Sequence, residues 1–197
     1  MNDTNNHTMN FHDDLNKAVE ALKKGAIILY PTDTIWGIGC DATNPEAVKR
    51  VYEIKQRQDT QSMLVLMENP NLLNSYIKEV PEIAWELIEV ADTPLTIIYP
   101  GAKNLASNLI ARDGSIGIRI TNEVFTQQLI QRFRKPVVST SANISGQKTP
   151  QNFAEISEEI KKSVDYIVNF RQDDLTRSNP SGIIKVGTGG QIEIIRK

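Results

Sequence analysis

The chain predicts an α/β fold, a single-domain twisted mixed β-sheet with covering helices. Three observations lead there. Apolar runs of strand length alternate with stretches of helical periodicity along the 197 residues. The composition, 40% hydrophobic and 23% charged, is that of an ordinary soluble globular domain. No internal repeat and no composition break marks a linker.

The elements follow in order. Residues 1–11, rich in Asn and Thr, predict a disordered tail, which leaves 12–197 as the folded domain. Residues 13–24 read as a helix, with Leu15, Ala18, Val19 and Leu22 on one face and Gly25 as its stop. Residues 26–30 are a buried strand that ends at Pro31. Asn44 before Pro45 is an N-cap followed by proline at the first helical position. Ala47, Val48, Val51, Tyr52 and Ile54 then form the apolar stripe of a helix ending near Lys55.

A strand at 63–67 precedes two short helices, around 71–77 and 82–90, with Pro81 between them. Residues 95–99 are a strand, 101–114 loop or short helix, and 115–120 another strand. Thr121 can cap a helix that runs through Phe133 and shares Val124, Phe125, Leu129 and Phe133 on one face. A strand at 136–140, a helix at 153–162 and a strand at 166–170 come next. The chain closes with a hairpin, 183–186 and 192–196, turned by the glycine-rich 187–190.

Composition also removes function classes. A net charge of −2 argues against a dedicated duplex-binding protein but leaves room for a local basic cavity. Cys40 is the one cysteine; it cannot form an internal disulfide and reads as a buried, reduced thiol. The histidines are His7 and His12, so neither a zinc cluster nor a histidine-based triad is expected. No apolar run approaches the roughly 18 residues of a membrane span, and residues 1–12 lack an apolar signal core. The expectation is a cytoplasmic protein with no metal held by protein ligands and no membrane contact.

Four groups could carry chemistry. Thr32-Asp33-Thr34 follows a strand and Pro31 and leads to Gly37 and Gly39; these are turn formers, and equally a ligand loop at a strand's end. It has neither the Gly-Lys-Ser/Thr of a phosphate loop nor the spacing of a dinucleotide fingerprint. Lys55 and Arg57 stand at a helix C-terminus, where cations complement the macrodipole, or could grip polyphosphate. They converge on one ligand only where the helix ends between them.

Residues 139–146, Ser-Thr-Ser-Ala-Asn-Ile-Ser-Gly, present a dense array of neutral donors after a strand, which can close a turn or recognise a carboxylate, ribose or phosphate. Ser115, Arg119, Ser181 and Arg196 lie at strand positions. Arg119 stands among Ile116, Ile118 and Ile120, so its guanidinium needs a buried acid or a bound one. Cations and hydroxyls without a protein nucleophile favour positioning anionic substrates that react with each other, with nucleotidyl transfer as the fitting chemistry.

Taken together, the segment from Tyr30 to Asp41, the Lys55-Gln-Arg57 motif and the segment from Val138 to Gly146 resemble the YrdC/TsaC family of L-threonylcarbamoyladenylate synthases, in its single-domain form. The resemblance runs from about residue 13 to residue 196. It implies a concave, positively lined cavity in the sheet. It also implies a reaction in which threonine's amine takes up bicarbonate and the carbamate attacks the α-phosphate of ATP. The products are threonylcarbamoyl-AMP and pyrophosphate, for N6-threonylcarbamoyladenosine modification of tRNA.

By motif position, Thr32, Arg119, Ser141 and Ser181 are implied to hold threonine. Lys55, Arg57, Ser115, Asn143 and Arg196 are implied to line the ATP side, with Lys55 and Arg57 in the catalytic role. Mg²⁺ is implied to come with ATP, with no tightly bound organic cofactor. The implied partners are ATP, L-threonine, bicarbonate, a downstream tRNA threonylcarbamoyl transferase complex, and at most a weak tRNA contact.

Departures from the family pattern are Asp33 for glutamate, Gln58 for proline, Ser62-Met63 for Pro-Leu, Thr93-Pro94 for a Pro-Gly-Pro turn, Glu123 for histidine and Gln151 for a hydroxyl residue. The alternatives are a non-catalytic module binding tRNA or double-stranded RNA, and a carbamoyl-transfer domain of the hydrogenase-maturation type. Lys55→Ala and Arg119→Ala are both expected to fold normally while activity collapses.

Overall fold

The computed structural model describes residues 3–56 and 63–197, with side chains in the first helix described from Phe11 onward. Helix α1 (Asp3–Lys23) begins ten residues before the expected start and runs through residues 3–11. No Gly or Pro interrupts that stretch. Phe11 anchors it, with its ring 5.5 Å from Phe125 and 4.9 Å from Phe170 in edge-on contacts. Gly25, at φ +75°, closes the helix in the left-handed conformation that glycine adopts without strain.

Strand β1 (Ile28–Tyr30) is fully buried and pairs antiparallel with β2 (Gly37–Gly39), a strand formed by residues whose types favour a turn. Gly39 is required there by close approach. A Cβ would lie 2.5 Å from the Val138 carbonyl oxygen and 2.6 Å from the Tyr30 ring, which crosses it to donate a hydrogen bond to that same carbonyl. Helix α2 (Pro45–Lys55) has the expected cap: the Asn44 side chain accepts from the Glu46 and Ala47 amides. It stops at Gln56, which takes a left-handed conformation at φ 48°.

Strand β3 (Leu64–Met67), a 3₁₀ turn at Pro70–Leu72, α3 (Leu73–Tyr76), α4 (Glu82–Val90), β4 (Leu95–Tyr99) and β5 (Ile116–Ile120) follow the expected order. Helix α5 (Val124–Phe133) is capped by Glu123, not Thr121. The Glu123 carboxylate accepts the Thr126 amide at 2.7 Å, whereas Thr121 lies two residues too early to reach the first turn and accepts from Glu123 N. Val124 is consequently exposed.

After β6 (Val137–Ser141), the single helix expected at 153–162 is two pieces, a 3₁₀ turn at Phe153–Glu155 and α6 (Glu158–Ser163). Asn152 and Ser157 each cap their own turn, leaving Ile156 extended between them. Strand β7 covers Tyr166–Ile167 and stops short of the expected 170, because the Asn169 and Phe170 amides turn away to the Asp14 carboxylate at 2.8 and 2.9 Å. The hairpin of β8 (Gly182–Val186) and β9 (Ile192–Arg196) ends the chain as expected.

Among the described residues nine strands form one mixed sheet in the order β7-β1-β2-β6-β3-β5-β4-β8-β9. Pairs β1/β7, β3/β5 and β4/β8 are parallel and the others antiparallel. Along β5 the pleat puts Ser115, Gly117 and Arg119 on one face. Ile118 and Ile120 turn to the other, where with Ile97, Tyr99 and the α4 end they line a second cavity of about 470 Å³. Among the described residues no helix is long and apolar enough to cross a membrane. Cys40 is fully buried, and burial pushes its thiol well above the usual range, so it is an inert core residue as expected.

Candidate active site

A cavity of about 360 Å³ opens on the Ser115–Arg119 face of the sheet. Five residues singled out in the sequence meet there: Ser115, Arg119, Ser141, Ser181 and Arg196. They come from β5, the end of β6, the approach to β8 and the end of β9, strands distributed across the sheet order. Gly117 lies between Ser115 and Arg119, and its missing side chain leaves the floor open beside Thr96 and Leu64.

Arg119 is the buried cation of the site, with 4% of its side chain exposed. Its Nη2 lies 2.9 Å from Asp33 Oδ1, an ion pair whose geometry falls short of a hydrogen bond, and donates to Thr34 Oγ1 at 3.1 Å. Thr32 Oγ1 is a weaker acceptor at 3.5 Å. The buried acid that an unpaired arginine demanded is thus Asp33, in the turn after β1. Burial holds the Asp33 carboxyl above its usual range against the downward pull of Arg119. Arg119 Nε is buried and has no hydrogen-bond partner among the described residues.

Thr32 is placed behind the cavity wall. Its hydroxyl donates to Ile35 O at 2.7 Å and accepts the Thr34 amide at 3.0 Å, so it shapes the turn that presents Thr34. Thr34 itself, with Ser139 and Thr140, lines the cavity. On the far side Ser181 Oγ shares a 2.8 Å hydrogen bond with Thr96, and Arg196 Nε donates to the Ser181 carbonyl at 2.9 Å. Partial burial and then the charge of Arg119 hold the Arg196 guanidinium below its usual value. Two arginines lining one space, with the charge of Arg119 disfavouring that of Arg196, favour an anion there.

Lys55 and Asn143 are not among the lining residues of that cavity. Lys55 is 2% exposed, and its Nζ donates to the carbonyls of Ser141 and Asn143, with Ser141 Oγ at 3.2 Å and Asn143 Oδ1 at 3.3 Å. Its own carbonyl accepts the Ser145 amide at 2.9 Å. The Asn143 side-chain amide donates to Ile144 O and Gln147 O. Both residues therefore hold the 141–147 loop against the end of α2, so that Ser141 is presented from a fixed backbone. The helix does end directly after Lys55, as convergence with Arg57 required; Arg57 and Gln58 lie outside the described residues.

The sequence reading missed Thr96, which stands opposite Arg119 in the β4–β5 register, and gave Thr34 no role of its own. A hydroxyl in an otherwise apolar strand is the signal for Thr96, but only the pairing register tells which face it takes. Ser115 carries its own support: its Oγ donates to Asp113 Oδ1 at 2.6 Å, and Lys185 pairs with the other oxygen at 2.9 Å.

The Ser115 hydrogen bond, then Lys185, pull the Asp113 carboxyl down to about 2. A depressed carboxylate contributes stability that is present above its unfolded value of about 3.9 and is lost as pH falls through the folded value. An NMR titration of the Asp113 carboxyl is expected to show a midpoint near 2, moving up in Lys185→Ala. A midpoint near the free-aspartate value in the unmodified protein would show that the Ser115 support is not formed.

Among the described residues no group of three His, Cys, Asp or Glu side chains could hold a metal ion.

Known proteins resemble the chain in sequence and in fold. The family model for Sua5, YciO and YrdC, described as telomere recombination, matches residues 20–197. The threonylcarbamoyl-AMP synthase of Pseudoalteromonas translucida is 34% identical over 77% of this chain and 83% of its own length. The crystal structure of E. coli YciO superposes with a TM-score of 0.80 at 26% identity, over 93% of this chain and 88% of that one. The P. abyssi Sua5 structure complexed with L-threonine superposes at 0.78 and 23% identity, a likeness of fold, over 87% of this chain. The chain spans half the length of that Sua5 protein.

Proposed function

The chain belongs to the Sua5/YciO/YrdC family, and from that premise we propose that it is a transferase that makes threonylcarbamoyl-AMP from L-threonine, bicarbonate and ATP. The observation that carries the reading is Arg119, a buried guanidinium that lines a cavity rimmed by hydroxyls and whose Nε has no hydrogen-bond partner among the described residues. An amino-acid carboxylate is the anion that such a guanidinium would take. Thr34, Ser139, Ser141 and Ser181 surround the place where the rest of a small polar amino acid would lie.

The chemistry is nucleotidyl transfer. Threonine's amine nitrogen forms a bond to the carbon of bicarbonate and water leaves, giving a carbamate. A carbamate oxygen then attacks the α-phosphorus of ATP, the bond to the bridging oxygen breaks, and pyrophosphate departs with its electron pair. No protein nucleophile is needed; the protein binds, orients and neutralises. Arg119 fixes the carboxylate, and Arg196 supplies positive charge on the nucleotide side, where Ser115, its proton held by Asp113, forms part of the wall. Lys55 and Asn143 act by holding the Ser141 loop, and Mg²⁺ enters with the phosphates. The product would serve tRNA modification through a separate transferase, in the cytoplasm.

The test is pyrophosphate release with ATP, threonine, bicarbonate and Mg²⁺. Release and an AMP-linked threonyl product are expected only when all three substrates are present. Absence of turnover together with retardation of tRNA on a gel would instead support a binding module.

A further inference from the structure

We propose that Arg171 is a positioning residue that clamps the Thr32–Thr34 turn from behind, an inference that rests on the reading of this cavity as the threonine site. The turn is a thin wall. Thr34 and Trp36 line the main cavity and also a small polar cleft whose lining includes Pro31, Thr32, Arg171 and Asp174. Without a support on the cleft side, the oxygen that receives Arg119 would be free to shift, and the grip of Arg119 on a bound carboxylate would loosen with it.

Arg171 supplies that support. Its Nη1 donates to the Thr32 carbonyl at 3.3 Å and lies 3.8 Å from Glu123 Oε1. Its Nε and Nη2 both donate to Asp174 Oδ2, at 3.1 and 2.9 Å. The backbone adopts φ +65°, an uncommon conformation for a side-chain-bearing residue, which is maintained because the side chain is fixed at several points. Glu123 is 6% exposed, caps α5 through the Thr126 amide, and stands where the resembling family often has histidine. Thr126 in turn donates to the Pro31 carbonyl at 2.6 Å. Successive carbonyls of the turn, Pro31 and Thr32, are thus tied to α5 and to Arg171.

The clamp also links two walls of the cavity. Arg171 opens the irregular segment that leads to Ser181, and Asp174 folds that segment back by accepting the Thr176 amide at 2.9 Å. The residue that holds Thr32 therefore also fixes the start of the loop that delivers Ser181. Arg171 is not among the lining residues of the main cavity, so its effect on substrate passes through the turn.

The experiment pairs hydrogen exchange on the ligand-free protein with steady-state kinetics, for Arg171→Ala and Arg171→Lys. The Thr34 amide, bonded to Thr32 Oγ1, is expected to exchange about tenfold faster in Arg171→Ala. The KM for threonine is expected to rise about tenfold with the KM for ATP unchanged and kcat within about twofold. Arg171→Lys, which keeps the charge but loses the fork, should fall between. Unchanged Thr34 exchange overturns the proposal, as does faster exchange with an unchanged threonine KM, or an equal rise in both KM values. Should the unmodified protein turn over no threonine, the synthase reading fails on its own, and the exchange result still decides whether the clamp exists. If Arg171→Ala does not fold, the same comparison is made on Arg171→Lys alone, with an unchanged Thr34 amide again overturning it.

Discussion

Arg119→Ala is expected to lower stability by about 3–5 kcal/mol as well as to abolish threonine-dependent turnover, because it leaves the Asp33 carboxylate buried without its cation. This revises the expectation from sequence that the variant folds normally. Both partners are at least nine-tenths buried, so solvent does little to screen the loss. Arg119→Ala combined with Asp33→Asn should recover much of the stability, since no uncompensated charge is left, and none of the activity. Urea unfolding of the single and double variants checks this. Full stability in the single variant would mean that the Asp33–Arg119 pair does not hold the turn.

Lys55→Met is expected to cost about 3 kcal/mol and most of the turnover, although Lys55 does not line the cavity. Methionine fills similar volume but offers no donor, so the carbonyls of Ser141 and Asn143 lose their shared charged partner. The Ser145 amide, which bonds the Lys55 carbonyl, should exchange faster as the loop loosens from α2. Arginine is not expected to rescue, because a planar fork does not replace a compact ammonium between two converging carbonyls. A variant that keeps its stability but loses turnover would move Lys55 back to direct contact with the nucleotide.

These two residues show what was legible in the chain and what was not. The fold was legible where local rules act alone. Asn44-Pro45 opens α2 as read, and 95–99 is β4 to the residue. It was illegible where a distant group competes. Asp14 shortens β7 by drawing off two amides, and Phe11 extends α1 by finding Phe125 and Phe170.

At the site, a guanidinium in an apolar strand announced that Arg119 needed an acid, but which acid depends on the turn after β1 coming across the sheet. Lys55 at a helix end read as a macrodipole partner or a grip on polyphosphate, and only the packing of the 141–147 loop shows it buried. Arg171 gave no sign at all. Its left-handed backbone and its reach to Thr32 are features of the folded chain, and an arginine in a loop is ordinary in sequence.

The most direct measurement is a crystal structure with L-threonine bound. The account predicts the threonine carboxylate within hydrogen-bonding distance of Arg119 Nε, its polar groups among Thr34, Ser141 and Ser181, and the Asp33–Arg119 pair intact. Threonine seated elsewhere, or an Arg119 side chain that swings away from Asp33 with its Nε still without a partner, would contradict it.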